Sequence, residues 1–160
     1  MKHLLVLLLV MMSCAMLKGQ ARVYDETIDP FAQIDQAVES ARSTGKTVIC
    51  QLGGNWCPWC LKFAKFIRED EEIRALIDEN YVYIHVNFKS RQDSLSQRVS
   101  ERLGNASQYG FPVLIVLNPD GSVLHIQESS VLEEEKSYNR ERVLHFFQQW
   151  TPAAVRDRPA

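Results

Sequence analysis

Two cysteines two residues apart, Cys57 and Cys60, stand where the sequence predicts the start of a helix. The apolar run 47–52 has the length and composition of a buried strand, residues 53–55 (Gly-Gly-Asn) are a turn signal, and Pro58 is typical of a first helical turn. Cys57 is then expected at the helix N-cap, with Cys60 one turn deeper and better shielded. A pair in this position can open and close one disulfide, which constrains both the local fold and the chemistry.

The N-cap position favours ionisation of Cys57. A disulfide is exchanged only when a thiolate attacks a sulfur atom, so one cysteine must ionise more readily than a free thiol, whose pKa is about 8.5. Unpaired backbone N–H groups and the positive end of the helix dipole stabilise a thiolate at this position. We therefore predict that Cys57 is the nucleophile and Cys60 the resolving thiol.

The composition is that of one globular domain. The chain has 160 residues, of which 46% are hydrophobic and 24% are charged, and its formal net charge is −2. This length allows one sizeable core, and two domains would be crowded. A weakly acidic chain without a basic cluster argues against nucleic acid or an anionic membrane surface as the main partner. We expect neither a cofactor nor a bound metal.

Residues 1–20 have the features of a signal peptide. Lys2 precedes the apolar run 4–12, which is too short to span a membrane, and small residues suggest cleavage near 19–21. The sequence therefore predicts export, to a compartment such as the bacterial periplasm. A lipid anchor is the alternative, because Cys14 follows the apolar run as in lipoprotein signals.

Three cysteines remain after such cleavage: Cys50, Cys57 and Cys60. An odd number does not suit a framework of structural disulfides, so we interpret them as a reactive pair and one buried thiol. Cys50 neighbours Gln51 on the predicted strand and should therefore face the opposite side of the sheet. We expect an inert core residue there, with a third redox thiol as the alternative.

Periodicity predicts helices alternating with strands along the rest of the chain. Helices are predicted from Pro30 to near Gly45, with Asp29 as cap, and over 58–67, 73–80, 95–103 and 143–150; strands are predicted over 47–52, 81–88, 113–117 and 122–128. The turn 118–121 (Asn-Pro-Asp-Gly) predicts that the last two strands are antiparallel. We interpret the three glutamates at 133–135 as a solvated loop, with substrate steering as the alternative. The expected organisation is a lead at 21–28, a domain at 29–151 and a flexible tail at 152–160.

The segments 56–60 (Trp-Cys-Pro-Trp-Cys) and 109–113 (Tyr-Gly-Phe-Pro-Val) together resemble the thioredoxin superfamily, particularly small exported thioredoxin-like proteins. The resemblance covers roughly residues 29–151 and implies an α/β fold, with a central mixed β-sheet flanked by helices. It also implies a cis peptide bond before Pro112, with Phe111 and Pro112 forming a platform for an extended substrate backbone. A trans proline that starts a strand is the alternative.

The aromatic residues of the first segment extend this predicted substrate surface. Trp56 and Trp59 flank the nucleophile, where flat rings can cover the disulfide and contact substrate, although either ring can also simply pack on the domain. The predicted substrate-binding residues are thus Trp56, Pro58, Trp59, Phe111 and Pro112.

Three positions depart from thioredoxin proper. Pro58 and Trp59 stand where thioredoxin has Gly-Pro, and Gln51 stands where it has a buried acid that moves protons to and from the resolving thiol. Gln51 cannot act as a general base, although it can orient a water or bond a neighbour. His85 on the adjacent predicted strand is a candidate for proton-transfer support, since the free pKa of histidine is about 6.5. A purely structural His85 is the alternative.

These features favour a thiol-disulfide oxidoreductase that reduces or isomerises protein or peptide disulfides outside the cytoplasm. The resemblance implies a membrane or periplasmic redox partner that supplies electrons, and we expect a monomer. The motif does not fix the direction of electron flow. Two alternatives remain open: a Cu(I) or other metal site built on the two thiolates, and a module that binds peptides through the surface of Trp59 and Phe111 without turnover.

Overall fold

The computed structural model describes residues 22–158. The predicted signal peptide and Cys14 lie outside the described residues. Within this range six helices and six strands follow one another, joined by turns that include two short 3-10 segments at Ala106–Tyr109 and Ser129–Leu132. The helices are α1 (Pro30–Thr44), α2 (Pro58–Glu69), α3 (Glu71–Asn80), α4 (Ser94–Arg102), α5 (Arg140–Gln149) and α6 (Pro152–Arg156). The strands are β1 (Thr47–Gly53), β2 (Tyr81–Asn87), β3 (Val113–Leu117), β4 (Val123–Glu128), β5 (Glu133–Glu134) and β6 (Ser137–Tyr138).

The central sheet is mixed and has the strand order β2-β1-β3-β4. Strand β1 runs parallel to β2 and antiparallel to β3, and β3 and β4 form an antiparallel pair. The predicted fold class, a mixed sheet flanked by helices, is confirmed. In the register, Gln51 of β1 lies between His85 of β2 and Leu114 of β3.

Both faces of β1 are covered, so every residue of this strand is buried. Val48, Cys50 and Leu52 pack with residues of α1 and α4 on one face of the sheet. Ile49 packs on the other face with residues of α2, α3 and α5. Cys50 is therefore turned away from the side of the sheet that carries α2, and burial raises the pKa of its thiol to about 12.

Local signals set the ends of α1 where the sequence predicts them. The Asp29 carboxylate accepts hydrogen bonds from the N–H groups of Phe31 and Ala32, and Pro30 fills the first helical position. Gly45 ends the helix in the left-handed conformation at φ 69°. The cap contributes about 1 kcal/mol to helix stability.

A short hairpin replaces the solvated loop predicted at the glutamate run. Glu133 pairs with Tyr138, and Glu134 pairs with Ser137. Tyr138 holds the hairpin against α2, because its buried ring packs edge-on against Phe63 at 4.8 Å. Strands of two residues are too short to show a readable alternation in sequence.

The chain after residue 151 forms the helix α6, so the prediction of a flexible tail is wrong for residues 152–156. Thr151 caps this helix through its hydroxyl, and Pro152 occupies the first turn. Val155 packs against the core, and the guanidinium of Arg158 lies 3.6 Å from the centre of the Trp150 ring. These contacts provide the burial that holds a short C-terminal helix in place. Within residues 22–158, no helix combines the length and the apolar character needed to cross a membrane.

Candidate redox site

Cys57 and Cys60 form a disulfide at the N-terminus of α2. Their Cα atoms are 5.2 Å apart, within the usual range for bonded cysteines. Cys57 is the N-cap residue, as its position after the turn predicts. Cys57 is 4% exposed and Cys60 is 0% exposed, so Cys57 is the more accessible of the two.

The cap geometry already directs a hydrogen-bond donor at the Cys57 sulfur. The backbone N–H of Cys60 donates to Cys57 Sγ across 3.2 Å. The first turn of α2 contains no acidic residue, and Pro58 occupies its first position. A thiolate at Cys57 would therefore receive an N–H hydrogen bond and the positive end of the helix dipole, and both lower the pKa of a thiol.

The segment before β3 lies at the same end of the sheet as the redox turn. The peptide bond between Phe111 and Pro112 is cis, and the next residue, Val113, pairs with Leu52 just before the turn. Phe111 packs against the cluster that contains Cys57 and Cys60. Pro112 itself is buried.

Trp56 and Phe111 form an aromatic wall beside the disulfide. Their rings meet edge to face at 5.3 Å, and the indole N–H of Trp56 donates to the carbonyl of Phe88 at 2.7 Å. Trp56 remains 53% exposed although these two contacts hold its ring. The wall borders a groove of about 340 Å³ whose lining also includes Lys89, Ser90 and Arg91.

Trp59 lies in the first turn of α2, between the two cysteines. Its ring packs edge-on against Tyr138 of β6 at 5.4 Å, and the ammonium group of Lys62 lies 4.2 Å from its centre. Trp59 is half-buried while Pro58 is exposed. Of the five predicted substrate-binding residues, Trp56, Pro58 and Phe111 present surface, Trp59 packs on the hairpin, and Pro112 lies beneath.

The buried side of the disulfide is closed by Tyr24, a residue that sequence reasoning missed. Tyr24 is fully buried and packs directly with Cys57 and Cys60. It belongs to the predicted lead, where one aromatic residue in a polar stretch was the sole available signal. Burial raises the pKa of Tyr24, so the phenol stays protonated.

Gln51 joins Tyr24 to the backbone of the redox helix. Its Nε2 donates to the Tyr24 hydroxyl at 2.5 Å and to the carbonyl of Cys60 at 3.1 Å, and its Oε1 accepts from the Tyr83 hydroxyl at 2.6 Å. Gln51 is fully buried, and an unpaired amide at such a position would destabilise the fold. Because both ends of its amide are hydrogen-bonded, Gln51 stabilises this arrangement. Gln51 thus donates to the backbone carbonyl of Cys60 and not to the Cys60 sulfur.

His85 lies next to this network without joining it. Its ring meets those of Tyr24 and Tyr83 edge-on at 5.3 and 5.4 Å, and its Nε2 is buried without a hydrogen-bond partner among residues 22–158. Burial lowers the pKa of His85 to about 4, so the ring is neutral at neutral pH. No hydrogen bond in the described range joins its ring to either redox cysteine.

The described residues also contain no group of three or more His, Cys, Asp or Glu side chains that could hold a metal ion.

Residues 29–119 match the family model described as thioredoxin-like. The chain belongs to the thioredoxin-like family. Over 139 residues it is 27% identical to the probable nucleoredoxin 3 of Oryza sativa subsp. japonica, an alignment that covers 71% of this chain and 30% of that protein. Over 93 residues it is 25% identical to an uncharacterized protein of Caenorhabditis elegans, which covers 58% of this chain and 13% of that protein. The chain thus spans less than a third of the length of these relatives.

Solved structures share the thioredoxin-like fold. The disulphide isomerase from Xylella fastidiosa Temecula1 superposes with a TM-score of 0.71 at 24% identity, covering 82% of this chain and 98% of that one. The DsbH oxidoreductase gives a TM-score of 0.52 at 21% identity, covering 78% and 82% of the two chains. A thioredoxin from Thermus thermophilus gives 0.53 at 19% identity, covering 72% and 81%. At these identities the likeness concerns the fold, and this thioredoxin-like chain carries its cysteine pair at the start of α2.

Proposed function

We propose that this thioredoxin-like chain is a thiol-disulfide oxidoreductase that reduces or isomerises protein or peptide disulfides through Cys57 and Cys60. The observation that carries the proposal is the disulfide at the N-terminus of α2, where the N–H of Cys60 already donates to Cys57 Sγ. This geometry stabilises a thiolate at the more accessible of the two cysteines.

In the reducing direction, the Cys57 thiolate attacks one sulfur of a substrate disulfide. A mixed disulfide forms with Cys57, and the other substrate sulfur leaves as a thiolate that takes up a proton. The Cys60 thiolate then attacks Cys57 Sγ, which forms the Cys57–Cys60 disulfide and expels the second substrate sulfur. The substrate gains two electrons and two protons, and a dithiol of a redox partner must return them to the site. In isomerisation, a thiol of the substrate itself attacks the mixed disulfide.

The groove beside Trp56 and Phe111 is the proposed seat of the substrate chain. Its aromatic wall offers apolar contact to an extended peptide, while Pro58 and Trp59 border the disulfide from the helix side and Pro112 supports the wall from beneath. Arg91 lies 5.7 Å from the centre of the Phe111 ring, and Lys89 joins it on the rim. Two cations on this rim favour substrates with an acidic residue near the reactive cysteine.

We infer that the protein works outside the cytoplasm after loss of residues 1–20, or anchored by a lipid on Cys14. The apolar run 4–12 behind Lys2 supports this. An exported reductase meets an oxidising environment, so it requires electrons from a membrane or periplasmic redox partner. We propose that the protein acts as a monomer.

The test uses the purified chain and a fluorescent peptide disulfide in the presence of a chemical dithiol. Cys57→Ser should abolish catalysed reduction, because the more accessible thiol is lost and the remaining Cys60 is fully buried, whereas Cys60→Ser should accumulate a mixed disulfide that mass spectrometry detects. Cys50→Ser is the matched control, since that thiol is buried on the opposite face of the sheet, and it should retain the wild-type rate. Full activity of the Cys57→Ser variant would refute the proposal.

A peptide-binding module without turnover is the competing function, and the exposed Trp56 ring makes it worth testing. The double variant with serine at positions 57 and 60 should bind a reduced peptide but catalyse no exchange. If peptide binding alone accounts for every effect of the wild-type chain, the double variant will reproduce all of these effects.

A further inference from the structure

The hydroxyl of Tyr24 and the sulfur of Cys60 share one small space beside Gly53. A Cβ atom added to Gly53 would lie 2.5 Å from Cys60 Sγ and 2.8 Å from the Tyr24 hydroxyl oxygen. Both distances are shorter than real Cβ contacts, so any side chain at Gly53 would push both atoms away. The glycine therefore keeps open the place where the phenol and the resolving sulfur approach each other.

The hydrogen bonds around Gln51 fix which way each donor points. The carbonyl of Cys60 can only accept, so the group of Gln51 that faces it must be the NH₂ group. The same nitrogen reaches the Tyr24 hydroxyl, which must therefore accept from Gln51. The opposite end of the amide, Oε1, can only accept, so the Tyr83 hydroxyl donates to it.

With these donor directions, no group of the network accepts the hydroxyl proton of Tyr24. The Tyr24 oxygen accepts one hydrogen bond from Gln51, and its proton is free to turn toward the space beside Gly53, where Cys60 Sγ lies. Tyr83, Gln51 and Tyr24 then form a directed chain in which each hydrogen bond polarises the next. The chain ends at the Tyr24 hydroxyl, which borders the same space as the resolving sulfur.

We propose that Tyr24 donates a hydrogen bond to Cys60 Sγ when the disulfide opens and thereby stabilises the Cys60 thiolate. The proposal rests on the proposed oxidoreductase function and assigns a residue to its second step. During resolution, a sulfur lone pair of Cys60 forms the bond to Cys57 Sγ, the substrate–Cys57 bond breaks, and its electron pair leaves with the substrate thiolate. In the reverse step Cys60 Sγ departs as a thiolate into this hydrogen bond.

The proton stays on Tyr24 throughout, because burial raises the pKa of this phenol and keeps it a donor. Other titratable groups near the cysteine are Cys57 on the same helix, Tyr83 and His85 of β2 beyond Gln51, and Tyr138 of β6. Burial lowers the pKa of His85 to about 4, so this ring carries no charge at the pH of the assay. A change in the Cys60 pKa near neutrality can then be assigned to the phenol.

The test compares Tyr24→Phe, which removes only the hydroxyl, with the otherwise identical protein. The pKa of Cys60 is measured in a Cys57→Ser background from the pH dependence of alkylation at Cys60, followed by mass spectrometry. Tyr24→Phe should raise this pKa by about one unit, as expected for losing one hydrogen bond to a charged group. With both cysteines present, it should slow resolution of a preformed mixed disulfide at neutral pH about threefold, because the greater nucleophilicity of the more basic thiolate partly offsets its smaller population.

Tyr81→Phe is the matched control, because it also removes a buried hydroxyl, one that donates to the carbonyl of Phe147 far from the disulfide. It should leave the Cys60 pKa and the resolution rate unchanged. If Tyr24→Phe does not fold, Tyr83→Phe replaces it, and a smaller shift in the same direction is expected because it removes the far end of the chain.

Two results would overturn the inference: a folded Tyr24→Phe protein with an unchanged Cys60 pKa and resolution rate, or an equal shift in Tyr81→Phe. Failure of the oxidoreductase function looks different. In that case the Cys60→Ser protein forms no mixed disulfide at all. The mixed disulfide is the product of the first step, in which the Tyr24 hydroxyl takes no part.

Discussion

Asn55 holds the backbone of Tyr24 from both sides. Its Oδ1 accepts from the N–H of Tyr24 at 3.1 Å, and its Nδ2 donates to the carbonyl of Tyr24 at 2.8 Å. The same carboxamide also accepts from the N–H of Val23 and donates to the carboxylate of Glu26. The turn that precedes the redox cysteines thus fixes the segment that closes the buried side of their disulfide. The lead is a structural part of the site.

Replacing Asn55 by alanine should release this segment. Four hydrogen bonds are lost at a partly buried position, so we expect the free energy of unfolding to fall by about 1–3 kcal/mol in urea titrations. Hydrogen exchange at the amides of Val23 and Tyr24 should become faster. Asn118→Ala serves as the control, because it loses a side-chain contact in the distant β3–β4 turn and should leave these amides protected. Unchanged protection in Asn55→Ala would contradict the role assigned to Asn55.

Gly53→Ala should disturb the redox site more than an ordinary glycine substitution does. The added methyl group meets Cys60 Sγ and the Tyr24 hydroxyl, and overpacking of this kind costs about 1–3 kcal/mol. Gly45→Ala is the comparison, since its Cβ meets open space but its positive φ costs about 1 kcal/mol. Both variants should unfold more readily, while only Gly53→Ala should alter the rate of thiol exchange with dithiothreitol. Equal exchange rates in the two variants would show that the space beside Gly53 is not critical.

We predict that protonation of His85 lowers the free energy of unfolding in mild acid. Its folded pKa of about 4 lies below its ordinary value of 6.5, so the unfolded state binds the proton more readily. The stabilisation is present above pH 6.5 and is lost as the pH falls toward 4, by up to about 3 kcal/mol. His85→Gln should flatten the pH dependence of unfolding in this window. Replacing the exposed His145 by glutamine should not, and a profile that is equally steep in both variants would contradict the prediction.

Arg91→Glu tests the substrate preference proposed for the groove. The guanidinium lies on the rim beside Phe111, so reversing its charge should slow the reduction of peptides that carry acidic residues beside the cysteine by several-fold. Reduction of otherwise identical basic peptides should become faster. Arg74→Glu, an exposed residue of α3, makes the same charge change elsewhere. If Arg74→Glu produces the same selectivity change, overall charge, and not the groove, sets the preference.

Local signals account for the parts of the fold that the sequence predicts. Asp29 and Gly45 mark the ends of α1, and the strand, turn and proline before α2 place Cys57 at the N-cap. The alternation along β1 correctly turns Cys50 away from Gln51. These features depend on neighbours within a few residues.

The inner side of the site could not be predicted, because it depends on contacts between distant segments. Tyr24 bonds Gln51 and Asn55, which lie 27 and 31 residues later, and a single aromatic residue in a polar lead has no periodicity to reveal its partner. The same limit applies to Gln51, because its partner Tyr24 comes from the lead and its partner Tyr83 from β2. His85 was correctly placed on the neighbouring strand, and its support of proton transfer stays a prediction.

The reduction potential of the Cys57–Cys60 pair tests the central claim most directly. The purified chain is equilibrated with glutathione or dithiothreitol buffers, and free thiols are trapped and counted by mass. We predict one two-electron transition between about −270 and −120 mV, the range of thioredoxin-fold redox proteins, with the lower end indicating a reductase and the upper end an oxidant. A disulfide that stays closed at potentials below about −300 mV would be structural, and it would contradict the account.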